Sequence, residues 1–258
     1  MNSLLKQKHR KPPLFICESL LEGQPTASIS GEDASHALKS RRLRIGDQVQ
    51  LTNGNGLLGE GTIDDIVARP AEVLVRLARF EASTPAKISL TLASALPKGE
   101  RLGTMLDMAT QLGMNCFIPL DCAYSSVKFQ EKMIHRWQRV IRSACKQCRQ
   151  LYVPTIRSGS DVQSLLQSLG TNTLALYGHH LGAPVRDAAE RITATTAEIM
   201  IVVGPEGGFN AAEFGLLAQH PQVFGISVSA QILRTETAGV ALLGATTGIL
   251  QPLVHSQH

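Results

Sequence analysis

The C-terminal two-thirds of the chain alternates short apolar runs with segments in which apolar residues recur every three or four positions. The apolar runs predict buried strands at Ile88–Leu96, Cys116–Leu120, Thr173–Tyr177, Ile199–Val203 and Phe224–Val228. The periodic segments predict helices at Glu100–Leu112, Glu131–Arg149, Val162–Leu169, Pro184–Ile192, Ala211–Gln219 and Glu236–Leu250. Asn210, with Glu213 three residues later, predicts a capping box at one of these helix starts. The alternation is typical of a parallel sheet with helices on both faces, so we predict an α/β fold.

The N-terminal part, from residue 14 to about residue 80, has short β-like runs that are separated by turn signals. Two Asn-Gly pairs, Asn53-Gly54 and Asn55-Gly56, predict the turn of a hairpin. Glu72–Leu77 continues the series of strands, and Glu32–Leu43 is a single helical insertion. This pattern predicts a small all-β unit, either a barrel or a sandwich.

A linker between the two parts is predicted at Glu81–Pro85, which is rich in small and turn-forming residues. We therefore divide the chain into an N-terminal domain, residues 1–80, and a C-terminal domain, residues 81–258. A chain of 258 residues suits one large and one small domain. Residues 1–11 are polar and predict a mobile basic arm with Lys6, Lys8, His9, Arg10 and Lys11.

The composition excludes several classes of protein. The 43% hydrophobic and 18% charged content is that of an ordinary globular protein. No apolar run reaches the roughly 18 residues of a membrane span, and the N-terminus lacks an apolar signal core. Five cysteines without regular spacing fit reduced thiols, so we expect a cytoplasmic protein without membrane association. The net charge of +4 permits a nucleic-acid partner without requiring one.

One group of cations in the N-terminal domain indicates where a polyanion would bind. It consists of Lys39, Arg41, Arg42 and Arg44. Four cations within six residues fit contacts with phosphate, and they fit a solvated face equally well. The sequence leaves both interpretations open.

A second group of cations lies on the predicted helix Glu131–Arg149. At about 100° per residue its apolar side chains, among them Trp137, fall within an arc of roughly 140°. The opposite side carries Lys132, Arg136, Arg139, Arg142, Lys146 and Arg149. Solvated faces usually mix charges, so this all-cationic face favours a polyanion partner. Cys145 and Cys148 both lie on the apolar side and no second pair exists, so we expect no metal site, and a redox pair stays open as a minor alternative.

A glycine-rich turn, Gly204–Phe209, follows the predicted strand Ile199–Val203 and carries candidate chemistry. It is neither a dinucleotide fingerprint nor a Walker loop, because it lacks their glycine spacing and the Lys-Ser/Thr pair. Glu206 disfavours a phosphorylated ligand and tolerates a cationic one such as a sulfonium. Gly207 and Gly208 would let the backbone approach a ligand closely, although a plain strand-to-helix turn would use them too.

A second turn, Ile232–Ala238, stands between the last predicted strand and the last predicted helix. Thr235 or Thr237 would cap that helix, and Glu236 suits its dipole. Arg234 opposes the dipole, so we expect it to face an anionic group of a substrate. Both turns follow parallel strands at their carboxyl ends, where open α/β sheets bind their ligands.

The two turns together resemble the paired signatures of the SPOUT-class 16S rRNA (uracil-N3)-methyltransferase family, which methylates N3 of a uridine in bacterial small-subunit ribosomal RNA. Further matches follow in order along the chain at His36, Arg42, Arg44–Asp47, Leu96–Arg101, Ala109–Gly113, Lys146–Cys148 and Val153-Pro154. The resemblance covers nearly the whole chain.

This resemblance implies an N-terminal PUA-like β-barrel that binds RNA and a C-terminal SPOUT domain with a trefoil knot in its parallel sheet. It also implies a homodimer that binds S-adenosyl-L-methionine in the knot loops. The cofactor residues would be Leu176, Tyr177, Gly178, Val203, Gly204, Pro205, Glu206, Gly207, Gly208, Val228, Ser229, Ile232 and Leu233. His179 and His180 fit a cofactor contact and an ordinary loop equally well. Ribosomal RNA or the small ribosomal subunit would contact Lys39, Arg41, Arg42, Arg44, Arg136, Arg139 and Lys146.

The implied reaction is transfer of a methyl group to uridine N3, with Arg234 and Glu236 as the catalytic candidates. Arg234 would stabilise negative charge on the ring oxygens, and Glu236 would orient Arg234 or act as the base. Because the sulfonium is itself the electrophile, no metal is expected.

The chain departs from the family pattern mainly in polar residues on the substrate side. Val228–Gln231 replaces a Leu-Gly pair with an Arg two residues later, and Gln111 replaces a Glu. Ser125 or Ser126 stands where an Arg-Ser pair is usual, and an expected Arg is shifted to Arg149. Two alternatives therefore stay open: another rRNA base or ribose as the acceptor, and a non-catalytic RNA-binding role in ribosome assembly.

Overall fold

The structure is a computed structural model that describes residues 11–255, with side chains described as far as Gln251. The predicted basic arm therefore lies outside the described residues, except for Lys11. The chain forms two compact units. The first contains the described residues up to Pro85 together with Cys145–Val153, and the second contains Ala86–Ala144 together with the described residues from Pro154 onwards.

The N-terminal unit is built on one five-stranded sheet in the order β1-β3-β4-β5-β2. Its strands are β1 (Leu14–Ile16), β2 (Thr26–Ser30), β3 (Gln48–Thr52), β4 (Leu57–Ala68) and β5 (Ala71–Ala82). Strands β1 and β3 are parallel, and the other pairs are antiparallel. Alternate residues of these strands point into one apolar core, as the period of two along a strand requires.

The predicted hairpin turn is confirmed between β3 and β4. The Asn53 side-chain oxygen accepts hydrogen bonds from the backbone N–H groups of Asn55 (2.8 Å) and Leu57 (3.1 Å). Gly54 and Gly56 have φ values of 76° and 92°, which glycine adopts at little cost. The Asn-Gly repeats therefore specify this turn through both side chain and backbone.

The helical insertion is shorter and less regular than the predicted Glu32–Leu43. Helix α1 (Gly31–Ser35) passes into a wider π-helical turn at His36–Ser40. The helix ends because Arg42 adopts a left-handed conformation (φ 54°), after which the Leu43 N–H donates to the Ala37 carbonyl (3.1 Å). The cations from Lys39 to Arg44 thus lie at an irregular helix end.

The C-terminal unit contains a parallel sheet in the order β12-β10-β11-β6-β7-β8, and β9 also pairs with β7. Its strands are β6 (Ser89–Ala95), β7 (Cys116–Asp121), β8 (Thr155–Ile156), β9 (Ser160–Asp161), β10 (Thr173–Pro184), β11 (Glu198–Val203) and β12 (Val223–Ser227). Its helices are α2 (Arg101–Gln111), α3 (Ile134–Cys148, whose last four residues belong to the N-terminal unit), α4 (Val162–Gln167), α5 (Ala211–Gln219) and α6 (Thr235–His255). The predicted α/β fold is confirmed.

Helices cover both faces of this sheet. On one face α4 and α5 pack over alternate strand residues such as Ala93, Ile118 and Val202. On the other face α6 packs on β6 and β11 and against α2. Trp137 of α3 makes an edge contact with the Phe117 ring at 5.8 Å. Strands buried on both faces explain why their sequences are continuous apolar runs.

One predicted helix is wrong in type. The segment predicted as a helix at Pro184–Ile192 is the last residue of β10 followed by a 3-10 helix at Val185–Arg191. Strand β10 also continues past its predicted end at Tyr177, because a register shift between Gly178 and Ala183 lets it pair again with β12. The trefoil knot stays a prediction. Among residues 11–255, no helix is long and apolar enough to cross a membrane.

Candidate functional site

A cleft of about 350 Å³ opens at the carboxyl ends of β10, β11 and β12. It lies where the order of these strands departs from their order in the chain, the usual ligand position in an open α/β sheet. Eleven of the thirteen predicted cofactor residues line it: Gly178, Val203, Gly204, Pro205, Glu206, Gly207, Gly208, Val228, Ser229, Ile232 and Leu233. Leu176 and Tyr177 lie just before it in β10, with buried side chains, and are not among its lining residues.

Backbone forms much of the wall at the glycine turn. A Cβ at Gly204 would lie 3.1 Å from the Phe209 ring, so a larger residue would crowd the turn. The Gly208 N–H donates to the Pro205 carbonyl at 2.8 Å, and Gly208 has a φ of 74°. The predicted capping box at Asn210 and Glu213 is confirmed and fixes the exit of the turn. A rigid turn of this kind presents backbone groups to a ligand without reorganisation.

A hydrogen bond links the two turns that the sequence singled out. The Thr235 hydroxyl donates to the Gly204 carbonyl at 3.2 Å, and Thr235 is buried. Helix α6 begins at Thr235, so its hydroxyl joins the second turn to the first. This contact therefore ties the start of α6 to the glycine turn.

The charges around the cleft favour a cationic ligand over a phosphorylated one. Of the described residues that line it, none is a lysine or an arginine, and Glu206 supplies a carboxylate. Burial, and to a smaller extent the neighbouring His180, lowers the pKa of His179 below its ordinary value of 6.5. His179 is therefore neutral at neutral pH and adds no positive charge to the site.

Aromatic side chains form a wall that sequence reasoning did not assemble. The Phe214 ring lies 5.2 Å from the His179 ring and 6.0 Å from the Tyr177 ring, in an edge contact with Tyr177. Phe214, His179 and His180 all line the cleft. The only signal in the sequence was the His-His pair after Gly178, because Phe214 reaches the site from helix α5.

The two catalytic candidates lie beside the cleft and are not among its lining residues. Arg234 is exposed directly before α6, and within the described residues its guanidinium makes no ion pair. Glu236 pairs with Arg101 (Oε1 to Nε, 3.6 Å), so its partner in the structure is Arg101 and not the predicted Arg234. The other Glu236 oxygen, Oε2, is buried and has no hydrogen bond within residues 11–255. Arg101 is therefore a charged residue at this edge that the sequence analysis named only within the matching segment Leu96–Arg101, without assigning it a role.

The predicted RNA-binding cations fall into three environments. Lys39, Arg41, Arg42 and Arg44 are exposed on the N-terminal unit. Arg136 and Arg139 are exposed on α3, where Arg136 pairs with Glu100. Lys146 is mostly buried and pairs with Asp33 inside the N-terminal unit. The all-cationic face of α3 is thus partly neutralised by acids from other elements, which the helix pattern alone could not reveal.

Cys145 and Cys148 of the CxxC motif are not joined in a disulfide. Cys145 is buried in the apolar side of α3, as predicted, and neither cysteine is part of a disulfide. In the part of the chain that the structure describes, no group of three His, Cys, Asp or Glu side chains is placed to hold a metal ion.

Comparison with known proteins identifies the family. Residues 84–247 match the family model of an RNA methyltransferase domain, and residues 29–74 match that of an RNA methyltransferase PUA domain. The chain is 30% identical to ribosomal RNA small subunit methyltransferase E of Mycobacterium bovis, over 92% of this chain and 91% of that protein. This chain belongs to the ribosomal RNA small subunit methyltransferase E family.

A second relative agrees with this assignment, and a solved structure agrees with the fold. The Bacillus subtilis protein is 28% identical over 89% of this chain and 93% of its own length. The crystal structure of the Neisseria gonorrhoeae protein, bound to S-adenosyl methionine, superimposes with a TM-score of 0.81 at 21% identity. It covers 94% of this chain and 98% of that chain. The family resemblance and the predicted PUA-like and methyltransferase folds are thereby confirmed.

Proposed function

We propose that this protein transfers a methyl group from S-adenosyl-L-methionine to N3 of a uridine in small-subunit (16S) ribosomal RNA. The observation that carries the proposal is the cleft at the ends of β10, β11 and β12, in a chain of the methyltransferase E family. The same three loops hold both motifs that the sequence singled out. Family membership supports the reaction class, and the cleft supports the ligand.

The residues of the cleft fit S-adenosylmethionine. Its volume of about 350 Å³ is within the range of small-molecule sites. The wall at Gly204–Gly208 offers backbone groups, and the side of Val228, Ile232 and Leu233 offers an apolar surface for the adenosine. Glu206 and the neutral His179 suit a positively charged sulfonium. Leu176 and Tyr177 would support the pocket from within β10.

For methyl transfer to occur, the weakly acidic N3–H of the uracil must lose its proton. The negative charge that then spreads onto the ring oxygens must be stabilised. When bound, S-adenosylmethionine supplies the methyl group on a sulfonium, which needs no metal for activation. Arg234 would stabilise the negative charge on the uracil oxygens as N3 attacks. Glu236 is the candidate base, and its pairing with Arg101 would hold its carboxylate in place.

The RNA and a second subunit complete the proposal. Lys39, Arg41, Arg42 and Arg44 would contact phosphates from the N-terminal unit, and Arg136 and Arg139 would do so from α3. Lys146 would act indirectly. Its ion pair with Asp33 would fix helix α1, which precedes the cations Lys39 to Arg44 in the chain. We propose a homodimer in the cytoplasm, because the family resemblance implies a dimer and ribosomal RNA is the substrate.

A direct assay tests this function. Purified protein is incubated with methyl-labelled S-adenosylmethionine and either naked 16S rRNA or small subunits from cells that lack the enzyme. Label should enter the RNA, and nucleoside mass spectrometry should identify 3-methyluridine. If a different methylated nucleoside is found, the acceptor is another base or a ribose. The departures from the family pattern at Val228–Gln231 and Ser125 motivate this alternative. RNA binding without any label transfer, and without cofactor binding in calorimetry, would favour the assembly role.

Cofactor affinity should depend on pH through His179. Above its lowered pKa His179 is neutral, and below it the added positive charge opposes a sulfonium. Affinity measured by calorimetry should therefore be constant at neutral pH and fall several-fold only below pH 6.5. The other titratable groups on the cleft wall are His180 and Glu206.

The variants His179→Asn, His180→Asn and Glu206→Gln separate these groups. The loss of affinity at acid pH should disappear in His179→Asn and persist in His180→Asn. Glu206→Gln removes the carboxylate that suits the sulfonium, so it should weaken binding at every pH. If His179→Asn still lost affinity at acid pH to the same extent, His179 would not be the group responsible.

A further inference from the structure

Tyr124 is an exposed aromatic residue beside the glycine turn of the cleft. It follows β7 at the carboxyl edge of the sheet, and 57% of its surface is exposed. A Cβ placed on Gly207 would lie 3.1 Å from Cβ and 3.5 Å from Cγ of Tyr124, so the base of the ring packs against the turn. Gly207 itself lines the cleft. Tyr124 therefore stands at the rim of the proposed donor site, with most of its ring open to solvent.

The loop that carries Tyr124 is held by its own hydrogen bonds. The Cys122 N–H donates to the Ser125 hydroxyl, and the Ser125 N–H donates back to the Cys122 carbonyl, both at 3.0 Å. The Lys128 ammonium bridges the Asp121 carboxylate (2.6 Å) and the Cys122 carbonyl (3.3 Å). An exposed ring on such a loop is pre-organised, so little conformational entropy is lost when it binds.

Glu213 joins this loop to the glycine turn. Its Oε1 accepts from the Ala123 N–H at 2.7 Å, and its Oε2 accepts from the Asn210 N–H at 2.9 Å. One carboxylate thus fixes the residue before Tyr124 and the residue that ends the glycine turn. The position of the tyrosine is in this way coupled to the wall of the cleft.

We propose that Tyr124 is a stacking platform for an RNA base, either the target uridine or its neighbour, next to the methyl donor. The proposal rests on the proposed function and adds a determinant of substrate recognition. Unstacked RNA bases are commonly bound on exposed aromatic rings, which accept any base through its flat face. A base is favoured over a phosphate because Lys128, the only cation in residues 121–130, pairs with Asp121. Where the family usually has an Arg-Ser pair, this loop offers a ring and two serines.

The test compares Tyr124→Ala with Tyr124→Phe and Tyr124→Trp in the methylation assay on unmethylated small subunits. Loss of one base stack corresponds to roughly 10- to 100-fold in affinity. We expect Tyr124→Ala to raise KM for the subunits by about that factor, with the Kd for S-adenosylmethionine unchanged. Phe and Trp should retain a KM close to wild type, because they keep a ring. Met108→Ala, which removes another exposed apolar side chain (44% exposed), is the matched control and should change neither constant.

Three results would overturn the proposal. An unchanged KM in Tyr124→Ala would show that no RNA base stacks on Tyr124. A parallel rise in Kd for S-adenosylmethionine would assign Tyr124 to the donor pocket. A change of oligomeric state in sedimentation would make it a contact between two copies of the chain.

A binding measurement separates this proposal from the proposed function. If the wild-type protein transfers no methyl group, binding of a fluorescent uridine-rich single-stranded RNA still compares the wild type with Tyr124→Ala. Weaker binding in the alanine variant would support the platform even then, and equal binding would contradict it.

Discussion

Arg234→Ala is expected to lower kcat for methyl transfer by about 100- to 1000-fold, the range for loss of one group that stabilises developing negative charge. Arg234 is exposed, stands where it opposes the dipole of α6, and lies outside the lining of the cleft. Its charge therefore contributes nothing evident to folding or to the donor pocket. Single-turnover rates on unmethylated small subunits, together with the Kd for S-adenosylmethionine from calorimetry, measure the two effects separately. The Kd should not change.

Two variants sharpen this result. Arg234→Lys keeps the charge but loses the planar fork of donors, so it should recover only part of the rate. Arg186→Ala removes another exposed arginine of the same unit, one that pairs with Asp187, and should leave the rate intact. Wild-type turnover in Arg234→Ala would exclude Arg234 from the mechanism. A large rise in Kd for the donor would instead make it part of the pocket.

The fold class was predictable because local sequence signals and tertiary structure agree in the C-terminal unit. Strands buried on both faces must be apolar at every position, so β11 and β7 are visible as unbroken runs. The start of α5 was also visible, since a capping box needs only Asn210 and Glu213, three residues apart. The Asn-Gly turn is local in the same sense.

Features that depend on distant partners were not predictable. Strand β10 continues to Pro184 because it pairs with β12 over a second stretch. No local sequence pattern indicates that pairing. The partners of Lys146 and Glu236, which are Asp33 and Arg101, come from other helices far away in the chain. Helical periodicity shows which face a side chain occupies, and it does not show what lies opposite.

The same distinction between local signals and distant partners applies to the candidate site. Loops after parallel strands are placed by topology, so the sequence alone assigns the residues from Gly204 to Gly208 to one edge of the sheet. The aromatic wall could not be assigned in this way, because Phe214 lies on the helix that follows the turn. The place of Tyr124 at the rim could not be predicted either, because the contact that ties its loop to the glycine turn comes from Glu213, 90 residues away, whose carboxylate accepts from the Ala123 N–H.

Gly182→Ala should damage both the stability of the C-terminal unit and donor binding, whereas Gly215→Ala should be harmless. A Cβ at Gly182 would lie 2.7 Å from the backbone N and C of Ile226, in the neighbouring strand β12. Backbone cannot rotate away as a side chain can, so β10 and β12 must separate, at a cost of about 1–3 kcal/mol or more. Ile226 and Ser227 line the cleft, so the same displacement should weaken binding of S-adenosylmethionine.

The control, Gly215→Ala, should change the stability of the protein in the opposite direction. Gly215 lies within α5, and a Cβ there would meet nothing within 4 Å. Alanine at this position should stabilise the protein by about 0.5–1 kcal/mol, because glycine loses more backbone entropy in a helix. Urea unfolding gives the two free energies, and calorimetry gives the two cofactor affinities. Equal stability and affinity in Gly182→Ala and the wild type would show that β12 can move away without cost. The cleft would then not depend on close approach of the two strands.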